Sequence, residues 1–104
     1  MGDVRLQRWD RPILPTERDL NEICFQAGLF PYEWSNAPGE FYPTHSHAYD
    51  KVIVVVRGSI TWVLPQTNER LKTRTGDRLE LPRGVRHAAE VGPEGVTCLE
   101  GHEE

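Results

Sequence analysis

The sequence is poor in cysteine, with two among its 104 residues. Cys24 and Cys98 stand far apart, and neither forms part of a CxxC pair. The low count excludes a disulfide-rich scaffold of the kind found in small secreted domains, and the spacing excludes paired-cysteine zinc and redox motifs. One disulfide between the two residues stays open, but we expect two reduced, partly buried side chains instead.

Long apolar runs and an excess of positive charge are also lacking. The net charge is −4, from 12 basic and 16 acidic residues. Nucleic acids and anionic membranes bind surfaces with a basic footprint, so neither is an expected partner. No segment approaches membrane-spanning length, and the first residues contain no apolar signal segment. We therefore expect a cytoplasmic protein.

Residues 1–28 are predicted to form an arm and one helix. The stretch PTERDLNEICFQAG offers Thr16 as the helix cap, Asp19 as the second half of a capping box, and Gly28 as the stop. Residues 29–104 instead show the pattern of short strands separated by turns rich in Gly, Pro and Asn. The sequence therefore predicts one domain, an all-β barrel or sandwich with a short N-terminal helix.

One predicted strand is apolar on both of its faces. Its central residues alternate between the faces and are all valine or isoleucine: Val52, Ile53, Val54, Val55 and Val56. A strand with a solvated face would alternate apolar and polar side chains, so the outer face here must be covered. The cover is either the N-terminal helix or a second subunit. We expect a homodimer, which would also bury more of the surface of so small a domain.

Histidines provide the candidate chemistry. His45 and His47 stand at i and i+2 of a predicted strand, so their side chains point to the same face. His87 follows the turn-like segment LPRG, and three imidazoles on one face can hold a divalent metal. Taken alone, an HXH pair is more often a polar strand edge, and a single histidine more often a hydrogen-bonded core residue. The metal hypothesis therefore needs further support.

The spacing around the histidines supplies that support. From Gly39, five residues lead to His45, His47 follows after one more, and Gly58 closes the segment. This pattern resembles the first sequence motif of the cupin superfamily, in which a glutamate follows the HXH pair. Lys51 stands in the place of that glutamate.

The second cupin motif is matched in the same order. Gly76 and Pro82 lead to Gly84, and His87 follows at the spacing of the motif. Val91 replaces the asparagine that ends the family motif, a change that bears on packing more than on metal binding. The resemblance implies a small, jelly-roll-like cupin β-barrel, which agrees with the strand pattern.

The resemblance also implies a metal site. In cupins the three motif histidines bind a divalent metal, so His45, His47 and His87 are the expected ligands. Without a carboxylate, three neutral imidazoles favour Fe(II), Zn, Ni or Cu over hard manganese. Some cupin dioxygenases, the thiol dioxygenases among them, also use three histidines and no glutamate. The resemblance thus implies oxygen-dependent chemistry on a small-molecule substrate, with the catalytic residues unknown.

Lys51 is the departure that matters most for a metal. Its ammonium has no lone pair and repels a divalent cation, so near a metal it must swing away or lose its proton. Strand alternation gives Lys51 and Tyr49 the inward direction of His47, which makes both of them candidate ligand-binding residues. Asp50 should point outward, and would ligate a metal only if a bulge intervened.

Other residues near the motifs are assigned structural roles. Alternation places Phe41 inside the barrel, where we expect it to be a core residue. Trp34 and Trp62 are expected in the core or at an interface. His102 lies in the charged segment EGHEE, which we expect to be disordered, and is not an expected ligand.

Two functions of different classes follow. The first is a metal-binding monocupin that acts on a small molecule, with an oxygen-dependent reaction as the most specific hypothesis. The alternative is a non-catalytic ligand-binding or sensor cupin with weak or no metal, in which Lys51 pairs with an anionic ligand. Lys51 and Val91 favour the alternative, whereas three histidines at the family spacing favour the metal. Metal-independent sugar epimerisation, a third hypothesis, lacks a visible His–Asp pair.

Overall fold

The structure, a computed structural model, describes residues 3–103. Within that range it contains one helix and seven strands. In chain order these are β1 (Arg5–Gln7), α1 (Glu17–Gln26), β2 (Tyr32–Asn36), β3 (Phe41–His45), β4 (Asp50–Leu64), β5 (Glu69–Arg74), β6 (Arg78–Leu81) and β7 (His87–Glu103). No helix in this range has the length and apolar character needed to cross a bilayer.

Two long strands, β4 and β7, organise the sheet. They pair with each other in antiparallel fashion, and the remaining strands attach to them in the order β1-β6-β4-β7-β2, with β3 on β7 and β5 on β4. Every pairing is antiparallel. The predicted all-β fold with one short N-terminal helix is therefore confirmed.

The helix begins and ends where the sequence predicted. The Thr16 hydroxyl accepts a hydrogen bond from the Asp19 amide, and the Asp19 carboxylate accepts one from the Thr16 amide, which completes the capping box. Gly28 follows the helix with φ +79°, a left-handed conformation that terminates helices and that glycine adopts without strain. These end contacts add to the stability of a ten-residue helix that is too short to persist alone.

The outer face of β4 is covered within the chain. Val52, Val54 and Val56 are buried against Leu20 and Cys24 of α1. Leu29, Leu99 and Trp9 complete this second, smaller core. Because α1 supplies the cover, the two apolar faces of β4 need no second subunit, and the homodimer stays a prediction.

The inner face of β4 belongs to the barrel core. Ile53 and Val55 point inward, together with a set of buried residues from β4, β6 and β7: Ile60, Trp62, Leu64, Leu79, Leu81, Ala89, Val91, Val96 and Cys98. Val91 thus packs in the core, as expected. Both cysteines are free and buried, Cys24 on the inward face of α1 and Cys98 in the barrel.

One glycine allows β4 and β7 to approach closely. Gly58 has φ +78°, and a Cβ atom at this position would lie 2.0 Å from the carbonyl oxygen of Gly95. The backbone conformation disfavours a side chain, and the contact leaves no room for one. The glycine of the first motif is therefore required at this position for structural reasons.

Candidate metal centre

The barrel brings the three motif histidines together. His45 ends β3, His47 lies in the segment just beyond it, and His87 begins β7. His45 and His87 are direct cross-strand partners. One ring nitrogen from each of the three histidines lies within 4.8 Å of those of the other two, a separation that a single metal ion can bridge.

Backbone contacts orient these imidazoles. The Nδ1–H of His45 donates to the carbonyl of Pro43 at 2.8 Å, and that of His87 donates to the carbonyl of Val85 at 3.0 Å. A carbonyl can only accept, so the neutral form of each ring carries its proton on Nδ1 and leaves Nε2 with its lone pair. The Gly84 amide donates to the carbonyl of His47 at 2.9 Å and so ties the HXH segment to the turn before β7.

The Nε2 atom of His87 provides a test of whether the site suits a metal. The residue is buried, and within the described part of the chain this nitrogen has no hydrogen-bond partner. A buried lone pair without a partner costs free energy, which a metal ion would offset. The donor set of three imidazoles therefore fits a divalent transition metal.

Burial also favours the neutral form of two of the histidines, His47 and His87. Desolvation lowers the pKa of His87 to about 4. It lowers the pKa of His47 as well, with a further contribution from the nearby Lys51 ammonium. Both rings are consequently neutral near pH 7, which is the state that coordinates metals.

Lys51 lies on the inner face of β4, beside the histidines. Its Nζ atom is 3.5 Å from Nε2 of His47 and 3.2 Å from Oε1 of Glu100. The lysine that replaces the motif glutamate is therefore paired with a buried carboxylate from another strand. Lys51 and Glu100 are diagonal neighbours across β4 and β7, because Lys51 is opposite His102 and Ile53 is opposite Glu100.

Glu100 is a residue of the candidate site that was not predicted from the sequence. It is 3% exposed, yet it lies in the same cavity as the histidines. Besides Lys51, its carboxylate accepts hydrogen bonds from three groups: Tyr32 Oη, Trp34 Nε1 at 3.0 Å and His102 Nε2 at 2.9 Å. Burial alone would raise the pKa of Glu100, but the hydrogen bonds from Tyr32 and His102 and the charge and hydrogen bond of Lys51 outweigh it and lower the pKa.

A signal for Glu100 was present in the sequence. Cys98, Glu100 and His102 alternate along one strand, so a buried Cys98 implies that Glu100 also points inward. The expectation that His102 belongs to a disordered tail is wrong, because β7 continues through it. The His102 ring packs against Tyr49, with ring centroids 4.0 Å apart. The charge of EGHEE suggested a tail, whereas residues 100–103 of this segment form the end of the strand.

The cavity around these residues has a volume of about 340 Å³. Tyr49 and Lys51, the two predicted ligand-binding residues, both line it. The ring of Tyr49 stacks on that of His47 at 5.1 Å. The remaining lining residues combine imidazole, aromatic, apolar and acidic groups: Tyr32, Trp34, Tyr42, His45, His47, Ile60, Trp62, His87, Ala89 and Glu100. A larger groove of about 610 Å³, between the arm and α1, has neither histidine nor cysteine in its described lining.

The prediction that Phe41 is a core residue is wrong. Phe41 is 60% exposed, and its neighbour Tyr42 lines the cavity instead. The pairing of β3 with β7 shifts register between Tyr42 and His45, so an extra residue there reverses the alternation. Asp50 behaves as expected and points away from the histidines, since its carboxylate accepts hydrogen bonds from Arg83.

Comparison with known proteins places this geometry in context. No family model and no curated protein matches the sequence. Among solved structures, a cupin superfamily protein from Desulfitobacterium hafniense is similar with a TM-score of 0.62 at 13% identity, over 99% of this chain and 80% of that one. An RmlC-like cupin from Shewanella frigidimarina has a TM-score of 0.61 at 22% identity, over 71% of this chain and 64% of that one.

A structure of an enzyme is also similar. The polyketide cyclase RemF from Streptomyces resistomycificus has a TM-score of 0.59 at 27% identity, over 69% of this chain and 52% of that one. This chain thus matches about half the length of the cyclase. The antiparallel barrel, the two histidine motifs and these structural likenesses together show that this chain has the cupin fold.

Proposed function

We propose that this cupin binds a divalent transition metal through His45, His47 and His87 and acts on a small molecule in the adjoining cavity. The observation that carries the proposal is the Nε2 atom of His87, which is buried without a partner in the described part of the chain. Nitrogens of the other two histidines lie within 4.8 Å of this residue's ligand atom. A single metal ion would satisfy all three lone pairs.

The donor set narrows the choice of metal and reaction. Three neutral imidazoles without a carboxylate favour Fe(II), Zn, Ni or Cu over manganese. Such a metal supplies Lewis-acid activation of a bound small molecule and, in the case of Fe(II), access to reactions with dioxygen. We propose a dioxygenase-like reaction as the specific activity, because the histidine-only donor set resembles that of the thiol dioxygenases.

The residues of the chain have distinct roles in this proposal. The backbone carbonyls of Pro43 and Val85 hold His45 and His87 in the tautomer that exposes Nε2. Tyr49 packs on His47 and restricts its ring. Aromatic walls line the rest of the cavity and would exclude water from a bound substrate.

A second function is favoured by one contact. The Lys51 ammonium lies 3.5 Å from Nε2 of His47, the nitrogen to which a metal would bind. This arrangement is compatible with a metal-free binding module, in which Lys51 would bind an anionic ligand and no turnover would occur. The two functions differ in a measurable property, the metal content of the protein.

Elemental analysis of untagged protein, purified without chelator, separates them. We expect near-stoichiometric Fe, Zn, Ni or Cu in the wild type and none in the His45→Ala/His47→Ala variant. The matched control is His102→Ala, which removes a histidine from the same region but outside the triad and should keep the metal. Protein that stays metal-free after incubation with each ion would contradict the metal proposal. Oxygen consumption by the loaded protein with thiols and small aromatics then tests the reaction.

A further inference from the structure

The starting point is the setting of Lys51 between two unlike neighbours. On one side is Nε2 of His47, and on the other is the carboxylate of Glu100, at the distances given above. The Lys51 side chain is 11% exposed, so water can screen its charge only slightly. The ammonium would oppose a metal at His47 unless another group compensates its charge.

Glu100 provides the charge that compensates Lys51. Its side chain is 4% exposed, and Lys51, Tyr32, Trp34 and His102 all donate to its oxygens. Four donors on one carboxylate leave little freedom to rotate and little capacity to accept from a ligand. Glu100 is therefore suited to anchor the lysine, and poorly suited to bind a substrate itself.

We propose that Glu100 is a positioning residue that holds Lys51 as a hydrogen-bond donor beside the metal, so that the site selects small ligands presenting an anionic oxygen, such as carboxylates and enolates. This inference rests on the three-histidine metal site proposed above. It adds the class of ligand and the role of two residues that the metal site alone does not define.

The distances would allow Lys51 to donate to a ligand oxygen bound to the metal. A metal ion bound to a histidine nitrogen lies about 2.1 Å from it. With Nζ 3.5 Å from Nε2 of His47, the ammonium would then be no more than about 5.6 Å from the metal. A ligand oxygen on the metal falls within hydrogen-bonding reach over much of that range. Of the three N–H donors of Lys51, one is directed to Glu100 and one to Nε2 of His47, so at least one remains for such an oxygen.

Charge supports the choice of ligand. Lys51 and Glu100 neutralise each other, and three neutral histidines leave the charge of a divalent metal uncompensated. An anionic oxygen would be attracted by the metal and would receive a charge-assisted hydrogen bond from Lys51. Without metal, the neutral pair offers an anion little attraction. Anion binding should therefore depend on metal, in contrast to the metal-free binding module.

The experiment uses Co(II) as a spectroscopic probe metal, with acetate as the anionic ligand and acetamide as its neutral counterpart. Visible absorption reports both Co(II) binding and ligand binding to the loaded protein. We expect acetate to bind the Co(II) protein, acetamide to bind more weakly, and the metal-free protein to bind neither. Lys51→Met should weaken acetate binding roughly tenfold or more without weakening Co(II) binding. Lys72→Met, which removes the same charge from an exposed position on β5, should change neither value.

The role of Glu100 is tested through the metal itself. Glu100→Gln leaves the Lys51 charge uncompensated and should weaken Co(II) binding roughly tenfold or more, and Lys51→Met/Glu100→Gln should restore it. Unchanged Co(II) affinity in Glu100→Gln, or unchanged acetate affinity in Lys51→Met, would overturn this inference while leaving the metal site intact. A wild type that binds no Co(II) would overturn the metal site and this inference with it. If Glu100→Gln does not fold, the acetate affinity of Lys51→Met still decides the outcome.

Discussion

His45 and His87 face each other directly across the β3–β7 pairing, with their ring centroids 4.4 Å apart. The two strands are separated in the sequence by the whole of β4, β5 and β6. A metal ion bound to both residues would therefore crosslink distant parts of the chain. Because the unfolded chain cannot assemble the site, metal binding should stabilise the folded state.

Thermal unfolding measures this stabilisation. Free metal at a hundredfold excess over its dissociation constant contributes about 2.7 kcal/mol. For a domain of this size that corresponds to a rise in Tm of roughly 10–20 °C. We expect the rise with Zn in the wild type and in His102→Ala, and its loss in His87→Ala. Equal Tm values with and without metal, for every ion tested, would argue against the site.

The acid sensitivity of the metal-free protein should depend on His87. Burial lowers the pKa of His87 to about 4 from its ordinary value of 6.5. Between these two pH values the unfolded chain binds more protons than the folded one, so the free energy of unfolding falls as the pH falls through this window. The loss approaches roughly 3 kcal/mol at pH 4.

Urea denaturation at pH 7, 6, 5 and 4 tests this dependence. The comparison is with His87→Leu, which has no titratable group at this position and should lose less stability over the same range. Other buried groups, such as Glu100, titrate in both proteins and cancel in the difference. Parallel curves for the two proteins would mean that His87 is not the source of the effect.

Lys51→Glu should affect stability and metal affinity in opposite directions. It restores the acid of the family motif but places a second carboxylate beside Glu100, at the position from which Lys51 Nζ contacts it at 3.2 Å. Repulsion between the two should lower the Tm of the metal-free variant. Metal affinity, measured by competition with a chromophoric chelator, should rise because a repelling cation is replaced by a possible ligand. No change in either the Tm or the metal affinity would mean that the side chain at position 51 does not interact with a bound metal.

Gly58→Ala should be more damaging than Gly39→Ala, although both glycines have a similar positive φ, of +78° and +76°. A Cβ at Gly39 meets nothing within 4 Å, so its substitution costs only backbone strain, about 1–2 kcal/mol. At Gly58 the Cβ would collide with the carbonyl of Gly95, which adds a cost of at least about 1–3 kcal/mol. Chemical denaturation of both variants measures the difference. Equal destabilisation of the two variants would mean that backbone strain alone explains the need for glycine at position 58.

The sequence predicted the parts of the site that depend on local spacing. The histidines were found through motif positions, and Lys51 and Tyr49 were assigned to the cavity by alternation from His47. Both residues line the cavity, Lys51 because β4 is regular from Asp50 to Val55, and Tyr49 although it lies with His47 in the segment between β3 and β4, outside any strand. Local periodicity is reliable where a strand has no bulge.

The parts that the sequence did not predict depend on irregular or distant pairing. The register shift between Tyr42 and His45 exchanged the directions of Phe41 and Tyr42, and nothing in FYPTH marks it apart from the proline. Glu100 became important only when β7 paired with β4 and brought it to Lys51. The ion-pair partner of a charged residue on a terminal strand becomes known only from the three-dimensional structure.

The shared interface of α1 and β4 gives the protein an internal reporter of folding. The helix has ten residues and is too short to be stable in isolation, so it becomes ordered only when Val52, Val54 and Val56 present a formed surface. Trp9 packs against this same cluster. Helical circular dichroism would therefore report assembly of the strands, even though the signal itself does not originate in the barrel.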